Sequence, residues 1–387
     1  MQGKKAVYGG TFDCPTSGHL HIIRKACKIF DSVTVVIAQN PNKKTLFSID
    51  ERKKMVKDMV QEFNTNSFKV DVKILPNDEY LVSYALSIGA NFLVRGIRDN
   101  IDFLYEQNIC ITNKKIQKEI ETIYLIPDES YGIISSSWVK GLVGMKGWRN
   151  VIRDHVTPYT LMKLEEKFLR DIFIDVCKEL GIEAIKSEQA WGWIVDGYSN
   201  NAYHNFDHLI DGIDAFRSIT ETDGRKTLYT LYAWFMHDVN PSEDESILMA
   251  ANLLGVKWIY EEQTKNVISS VAKLIEATKH KTCEYRTEDE EIFASIDLLC
   301  LSGHFCSYDE YVRKVYKEYL LKSGLKDAEF YPKWITGRKE FLQKMLARKV
   351  IYPCQWIGEQ FGRNLESEAR YNMQKELDDL NPSNIYA

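Results

Sequence analysis

Apolar and polar positions divide this chain into two textures. In the first, short β-branched runs alternate with helical patterns. Lys5-Ala6-Val7-Tyr8 reads as a buried strand closed by Gly9 and Gly10. Leu20, Ile22, Ile23, Ala26, Ile29 and Phe30 then recur at helical spacing, so a helix is expected to open at His19. Residues 33–38, 70–75, 91–94 and 122–126 predict further strands, and 48–63, 81–87 and 106–118 predict helices. Ser48 with Glu51 three residues on is a capping box for the first of these helices. Such alternation predicts an α/β doubly wound parallel sheet of Rossmann-like form, with ligands at the carboxyl ends of its strands.

Past Val156-Thr157-Pro158 the strand-like runs vanish. Residues 161–180, 208–218, 226–237, 246–254, 263–279, 289–301 and 308–321 all place apolar side chains three or four apart, the pattern of an all-α domain. The expected domains are residues 1–157 and 158–387. No Gly/Ser-rich linker separates them, so close packing of the halves is expected.

Composition changes the picture only at its edges. A chain of 387 residues exceeds one ordinary core, and 44% hydrophobic with 27% charged residues is a globular balance. The net charge of -5 argues against general nucleic-acid binding and confines any phosphate chemistry to local pockets. No apolar run approaches the roughly 18 residues of a membrane span, and the N-terminus enters a strand without a signal-like apolar segment. Eight cysteines without a Cys-x-x-Cys pair read as reduced thiols, and a cytoplasmic protein is expected.

The candidate chemistry of the first half centres on Gly10-Thr11-Phe12-Asp13-Cys14-Pro15-Thr16-Ser17-Gly18-His19. A strand, a glycine-bounded turn and a helix N-terminus make an anion site, on which His19 is expected to place a second positive charge. Lys43, Arg95-Gly96-Ile97-Arg98 and Ser135-Ser136-Ser137 all follow predicted strands. Any one of these cations alone reads more readily as a solvated surface charge. Together, His19, Lys43, Arg98 and the serine-loop amides suit a developing pentavalent phosphate and its leaving pyrophosphate, and no protein nucleophile is required.

These motifs resemble pantetheine-phosphate adenylyltransferase of the T/H-x-G-H nucleotidyltransferase superfamily, over roughly residues 4–150. Thr16-Ser17-Gly18-His19 carries threonine where most of the superfamily has a first histidine. Ile134-Ser135-Ser136-Ser137-x-Val139-Lys140 and Arg95-Gly96-Ile97-Arg98 point to the same branch. The resemblance implies transfer of adenylyl from ATP, with Mg2+, to phosphopantetheine. Thr11, Lys43, Leu81 and Arg95 would contact the acceptor. Thr11, Phe12, Thr16, His19, Gly96, Ile97, Arg98, Glu106, Tyr131, Gly132, Ile133, Ile134, Ser135, Ser136 and Ser137 would contact ATP, with His19, Lys43 and Arg98 catalytic. A homo-oligomer is also implied, in a packing the helical half would block or rearrange. Gly9 and Cys14 stand where the family usually has prolines, which leaves another acceptor, such as nicotinamide mononucleotide, as the alternative.

In the helical half, Tyr203-His204-Asn205-Phe206-Asp207-His208 precedes one helix and Phe235-Met236-His237-Asp238 ends another. A lone histidine here would read as a packed residue. A His-x-x-x-His, a His-Asp pair and the intrahelical Asp297 amid apolar residues form a ligand set for a divalent ion: zinc, manganese, iron or magnesium. From about residue 164 to 380 this half resembles the metal-dependent HD-superfamily phosphohydrolases. Glu243-x-x-Ser246, Ala277-Thr278-Lys279-His280, Gly337-Arg338 and Ala369-Arg370-Tyr371-Asn372 contribute to the likeness. It implies metal binding by His208, His237, Asp238 and Asp297, with His204 as the acid that protonates a leaving group; it gives a reaction type and no particular phosphate ester. A sensing or oligomerisation module without turnover is the alternative. Small-molecule substrates, no nucleic acid and no membrane are the expected partners.

Overall fold

Strand β1 (Lys5–Gly10) runs at the centre of a five-stranded, wholly parallel sheet, between β2 (Ser32–Ile37) and β4 (Phe92–Gly96). The edges are β3 (Val70–Ile74) and β5 (Glu121–Leu125), giving the order β3-β2-β1-β4-β5. This computed structural model describes residues 3–39, 44–61, 70–199, 201–219, 224–255, 261–280, 285–303 and 308–380. The chain divides into two compact units, Met1–Leu164 and Glu165–Ala387.

In the first unit, alternation along the strands sends side chains to two covers. Tyr8, Val33, Val35, Ile37 and Val94 pack with α1 (Ser17–Cys27) and α2 (Ile49–Met59). Val7, Val36 and Leu93 pack on the other side with α3 (Leu81–Ser87) and the end of α4 (Asn100–Ile116). Strand order reverses between β1 and β4, which opens a crevice at their carboxyl ends. The short helices α5 (Ser136–Leu142) and α6 (Trp148–Ile152) follow β5.

Several expectations are corrected here. Gly9 and Gly10 do not close β1 but belong to it, paired with Val36 and Ile37. A Cβ on Gly9 would lie 2.4 Å from a methyl of Leu81, so the glycine admits that side chain rather than making a turn. Helix α1 begins two residues before His19, with Thr16 as its cap. Helix α4 begins six residues before Glu106, because Asp99 caps it by accepting from Asp102 N–H. Arg95 and Gly96 lie within β4. The capping box at Ser48 and Glu51 is present, though α2 ends at Met59.

The second unit is helical among its described residues: the greater part of α7 (Pro158–Glu179), then α8 (Ala184–Tyr198), α9 (Phe206–Ile219), α10 (Gly224–Met236), α11 (Glu243–Leu254), α12 (Glu261–Ala277), α13 (Glu288–Asp297), α14 (Tyr308–Ser323), α15 (Asp327–Leu346), α16 (Ile357–Gln360) and α17 (Leu365–Asp379). Its core is aromatic: Phe173 meets Phe235, and Trp234 meets Phe216 and Phe293. A Cβ on Gly212 would fall 2.1 Å from the Trp234 indole, which presses α9 against α10. Helix α13 stops at Asp297 and passes into a 3-10 turn, Leu298–Ser302, instead of continuing as expected. Helices α8, α15 and α17 were not expected from the apolar spacing; α15 even carries Pro332 in its second turn. No helix among the described residues is long and apolar enough to cross a membrane.

Candidate functional site

The crevice of the first unit is an open cleft of about 910 Å³ at the carboxyl ends of β1 and β4. His19, in the first turn of α1, forms its floor. Its Nδ1 accepts the Thr16 backbone N–H at 3.1 Å, which places the proton of the neutral ring on Nε2. Burial and the Arg98 charge push its pKa down to about 4. Burial and Arg98 thus favour the neutral ring, with Nε2–H as a donor, over the positive charge expected from sequence. Gly18 abuts the serine segment, where a Cβ would lie 2.9 Å from the Ile134 carbonyl oxygen. Ser136 Oγ donates to the Cys14 carbonyl at 2.6 Å, and Ser135 caps α5 by accepting from Trp138 N–H. Phosphate loop and serine segment are thus one piece.

Thr11, Phe12, Leu81, Gly96, Tyr131, Ile134, Ser137 and Arg98 line the cleft. Four residues expected to contact ATP do not line it: besides Thr16, Ile97 is buried with its N–H on the Leu125 carbonyl, Ile133 is 74% exposed, and Gly132 closes a turn on Glu129. Thr16 is buried beneath His19. Lys43 lies outside the described residues; Lys44 lines the cleft. Arg95 and Glu106 were expected to serve acceptor and ATP separately. The two are joined: the guanidinium grips the carboxylate through two bonds, Nε to Oε2 at 2.6 Å and Nη2 to Oε1, while Nη1 donates to the Gly9 carbonyl. Arg98 pairs likewise with Asp102.

Sequence reading passed over three supports of this cleft. Buried Asp13 accepts from the Leu46 and Phe47 N–H groups and from Lys140 Nζ at 2.5 Å. Arg52, 1% exposed, donates to the carbonyls of Thr11, Phe47 and Ala38. His21 stacks on Tyr131 at 4.4 Å, and Lys25 holds Asp128 at 2.6 Å, so α1 clamps the segment that enters the serine turn. The string around Asp13 was visible; its partners, far along the chain, were not.

In the helical unit, the residues singled out as ligands come together. His208 Nε2 and His237 Nε2 are 3.2 Å apart, and Asp297 Oδ1 lies 3.5 and 3.7 Å from them. Asp238 Oδ2 is 3.0 Å from His237 Nε2 and 3.8 Å from His208 Nε2. His237 Nδ1 donates to the Trp234 carbonyl at 2.7 Å, which turns its Nε2 into the cluster. The donor set fits a divalent ion: two converging imidazole nitrogens and the Asp297 carboxylate lie within 4.8 Å of one another, with the Asp238 carboxylate beside His237. Burial and the neighbouring His237 charge lower His208 to about 4, whereas Asp238 and Asp297 overcome burial to raise His237 to about 10.

His204 lies beside the cluster, its Nε2 3.8 Å from Asp238 Oδ2, and Asn205 caps α9 by accepting from Asp207 N–H. Three further residues were missed. Tyr198, on α8, accepts the Asp238 N–H at 3.2 Å; His280 Nε2 is 2.9 Å from Asp297 Oδ2; Glu318 binds His204. His280 had appeared only as part of a motif, and α8 had not been expected.

The cytidylyltransferase-like family matches residues 7–141. A phosphopantetheine adenylyltransferase of Chromobacterium violaceum is 41% identical over 161 residues, 42% of this chain and 95% of its own. One from Aquifex aeolicus is 40% identical over 166 residues, 43% of this chain and 97% of its own. Among solved structures, a nicotinic acid mononucleotide adenylyltransferase of Plasmodium falciparum, complexed with NaAD, aligns over 41% of this chain and 92% of its own, at 18% identity and a TM-score of 0.31. Nearly the full length of the two bacterial enzymes is accounted for, and the chain therefore belongs, through its N-terminal cytidylyltransferase-like domain, to the phosphopantetheine adenylyltransferase family.

Proposed function

We propose that the first unit transfers the adenylyl group of ATP to 4'-phosphopantetheine, giving dephospho-CoA and pyrophosphate. The observation that carries this is His19 and the serine segment fused into one phosphate-facing wall, in a chain so similar to phosphopantetheine adenylyltransferases. An oxygen of the acceptor phosphate attacks the α-phosphorus, and the bond to the β-phosphate bridging oxygen breaks. His19 Nε2–H meets the charge that develops on the transferred group, and Arg98 adds positive potential. Asp13 and Lys140 keep the loop in place. Mg2+, entering with ATP, would neutralise the departing pyrophosphate. The test is purified protein with ATP and either phosphopantetheine or nicotinamide mononucleotide, following pyrophosphate release. Release with phosphopantetheine alone is expected; release with the mononucleotide alone would overturn the acceptor.

For the second unit we propose metal-dependent phosphate-ester hydrolysis, carried by the convergence of His208, His237, Asp238 and Asp297. An ion bound there would polarise the phosphate and lower the pKa of water. His204 holds a proton on the cluster side, where a leaving oxygen needs one. Metal analysis of the purified protein, with a phosphate-ester screen with and without chelator, tests this reading. Metal-free protein whose hydrolysis ignores chelator would end it.

A further inference from the structure

The acid proposed for the helical unit has a partner that no motif names. Glu318 lies on α14, 114 residues from His204, with its side chain only 2% exposed. Its carboxylate accepts from three donors on one turn: the backbone N–H groups of Tyr203 and His204, at 2.8 and 2.9 Å, and His204 Nδ1 at 2.8 Å. Lys322 Nζ, at 2.7 Å, supplies the opposite charge.

A carboxylate that served only to anchor the turn would be satisfied by the two backbone donors. The third bond reaches the ring itself. It keeps a proton on Nδ1 and fixes the plane of the imidazole, so that in the doubly protonated ring the Nε2–H, whose proton passes to the leaving oxygen, faces the side of Asp238. At 3.8 Å, Nε2 is too far from Asp238 Oδ2 for a direct hydrogen bond, which leaves it available to a bound ester. We infer that Glu318 is a positioning residue that orients His204 for proton donation to the leaving group. This rests on the reading of the helical unit as a phosphohydrolase.

The experiment compares wild type with Glu318→Ala, His204→Ala and the double variant. Each is assayed with manganese on aryl phosphate mono- and diesters whose leaving groups run from 4-nitrophenol to phenol. A misplaced acid matters most where the departing oxygen is most basic. Glu318→Ala and His204→Ala should therefore each lose about 10²-fold on phenyl esters and far less on 4-nitrophenyl esters. The double variant should be no slower than His204→Ala.

A uniform loss across leaving groups, or a further loss in the double variant, would overturn the inference while leaving the hydrolase reading intact. No hydrolysis by wild type with any divalent ion would overturn both. Should Glu318→Ala fail to fold, histidine 15N NMR of wild type and Glu318→Gln decides independently of turnover. A protonated Nδ1 on His204 in wild type, altered in Glu318→Gln at unchanged metal content, is expected. An unprotonated Nδ1 in wild type would refute the role.

Discussion

Arg95 and Glu106, eleven residues apart, are locked by two hydrogen bonds on the wall of the nucleotide cleft. Glu106 is buried and Arg95 half-buried, so the pair is a fixed part of the cleft wall. An acceptor phosphate meeting Arg95 meets a guanidinium already fixed in plane, with little rotamer freedom left to lose.

Arg95→Ala is therefore expected to do two things. The KM for phosphopantetheine should rise more than that for ATP, since a charged contact to the acceptor is lost. The fold should weaken by up to about 3 kcal/mol, because the Glu106 carboxylate is left buried without its partner. Adding Glu106→Gln should restore thermal stability but not the acceptor KM. A rise confined to the KM for ATP would show that Arg95 serves the other subsite.

His19→Ala should keep most ATP affinity and lose turnover by a factor of about 10² or more, the scale for one donor to a developing oxyanion. Direct ATP titration beside steady-state rates separates the two. Near-normal turnover would remove His19 from the reaction.

Gly212→Ala tests whether packing sets the helical site. The added carbon would strike the buried Trp234 indole, whose residue also lends the carbonyl that aims His237. Overpacking of this kind costs roughly 1–3 kcal/mol, so the calorimetric transition of the helical unit should fall and metal content with it. Gly192→Ala, on α8 with open space around it, should raise that transition slightly or leave it unchanged. Equal behaviour of the two variants would contradict this account.

The repeating parts of the molecule were legible because repetition is what a sequence displays. The β-branched runs gave the sheet, and the His-Asp step at the end of α10 gave half of the helical cluster. Partnerships across long separations left no such trace. Asp13 with Lys140, Arg52 with Thr11 and His204 with Glu318 join residues 127, 41 and 114 positions apart. Each charged residue alone reads as an ordinary surface charge. The start of α4 was missed for a different reason. Ile101, Leu104 and Ile111 are exposed and only Glu106 is buried, so apolar spacing did not mark which side faces inward. Gly9 was misread because a glycine that makes room for Leu81 looks, in sequence, like one that makes a turn.

The metal prediction follows from what surrounds Asp238. Its carboxylate is 3.0 Å from His237 Nε2 and within 3.8 Å of His208 and His204, and burial alone would disfavour its charge. The positive charge of the neighbouring histidines instead holds it down at about 2. A divalent ion bound there would meet the two carboxylates with positive charge, and its binding would add to the stability of the fold. Asp238→Ala should therefore lose metal, lower the unfolding temperature of the helical unit and abolish phosphate-ester hydrolysis, while adenylyl transfer survives. His204→Ala should keep the metal and lose only hydrolysis, because His204 stands beside the ligands without joining them. Elemental analysis, calorimetry and the two assays on the same preparations check all of this. Full metal content in Asp238→Ala would show that the ion, if bound, does not use this carboxylate.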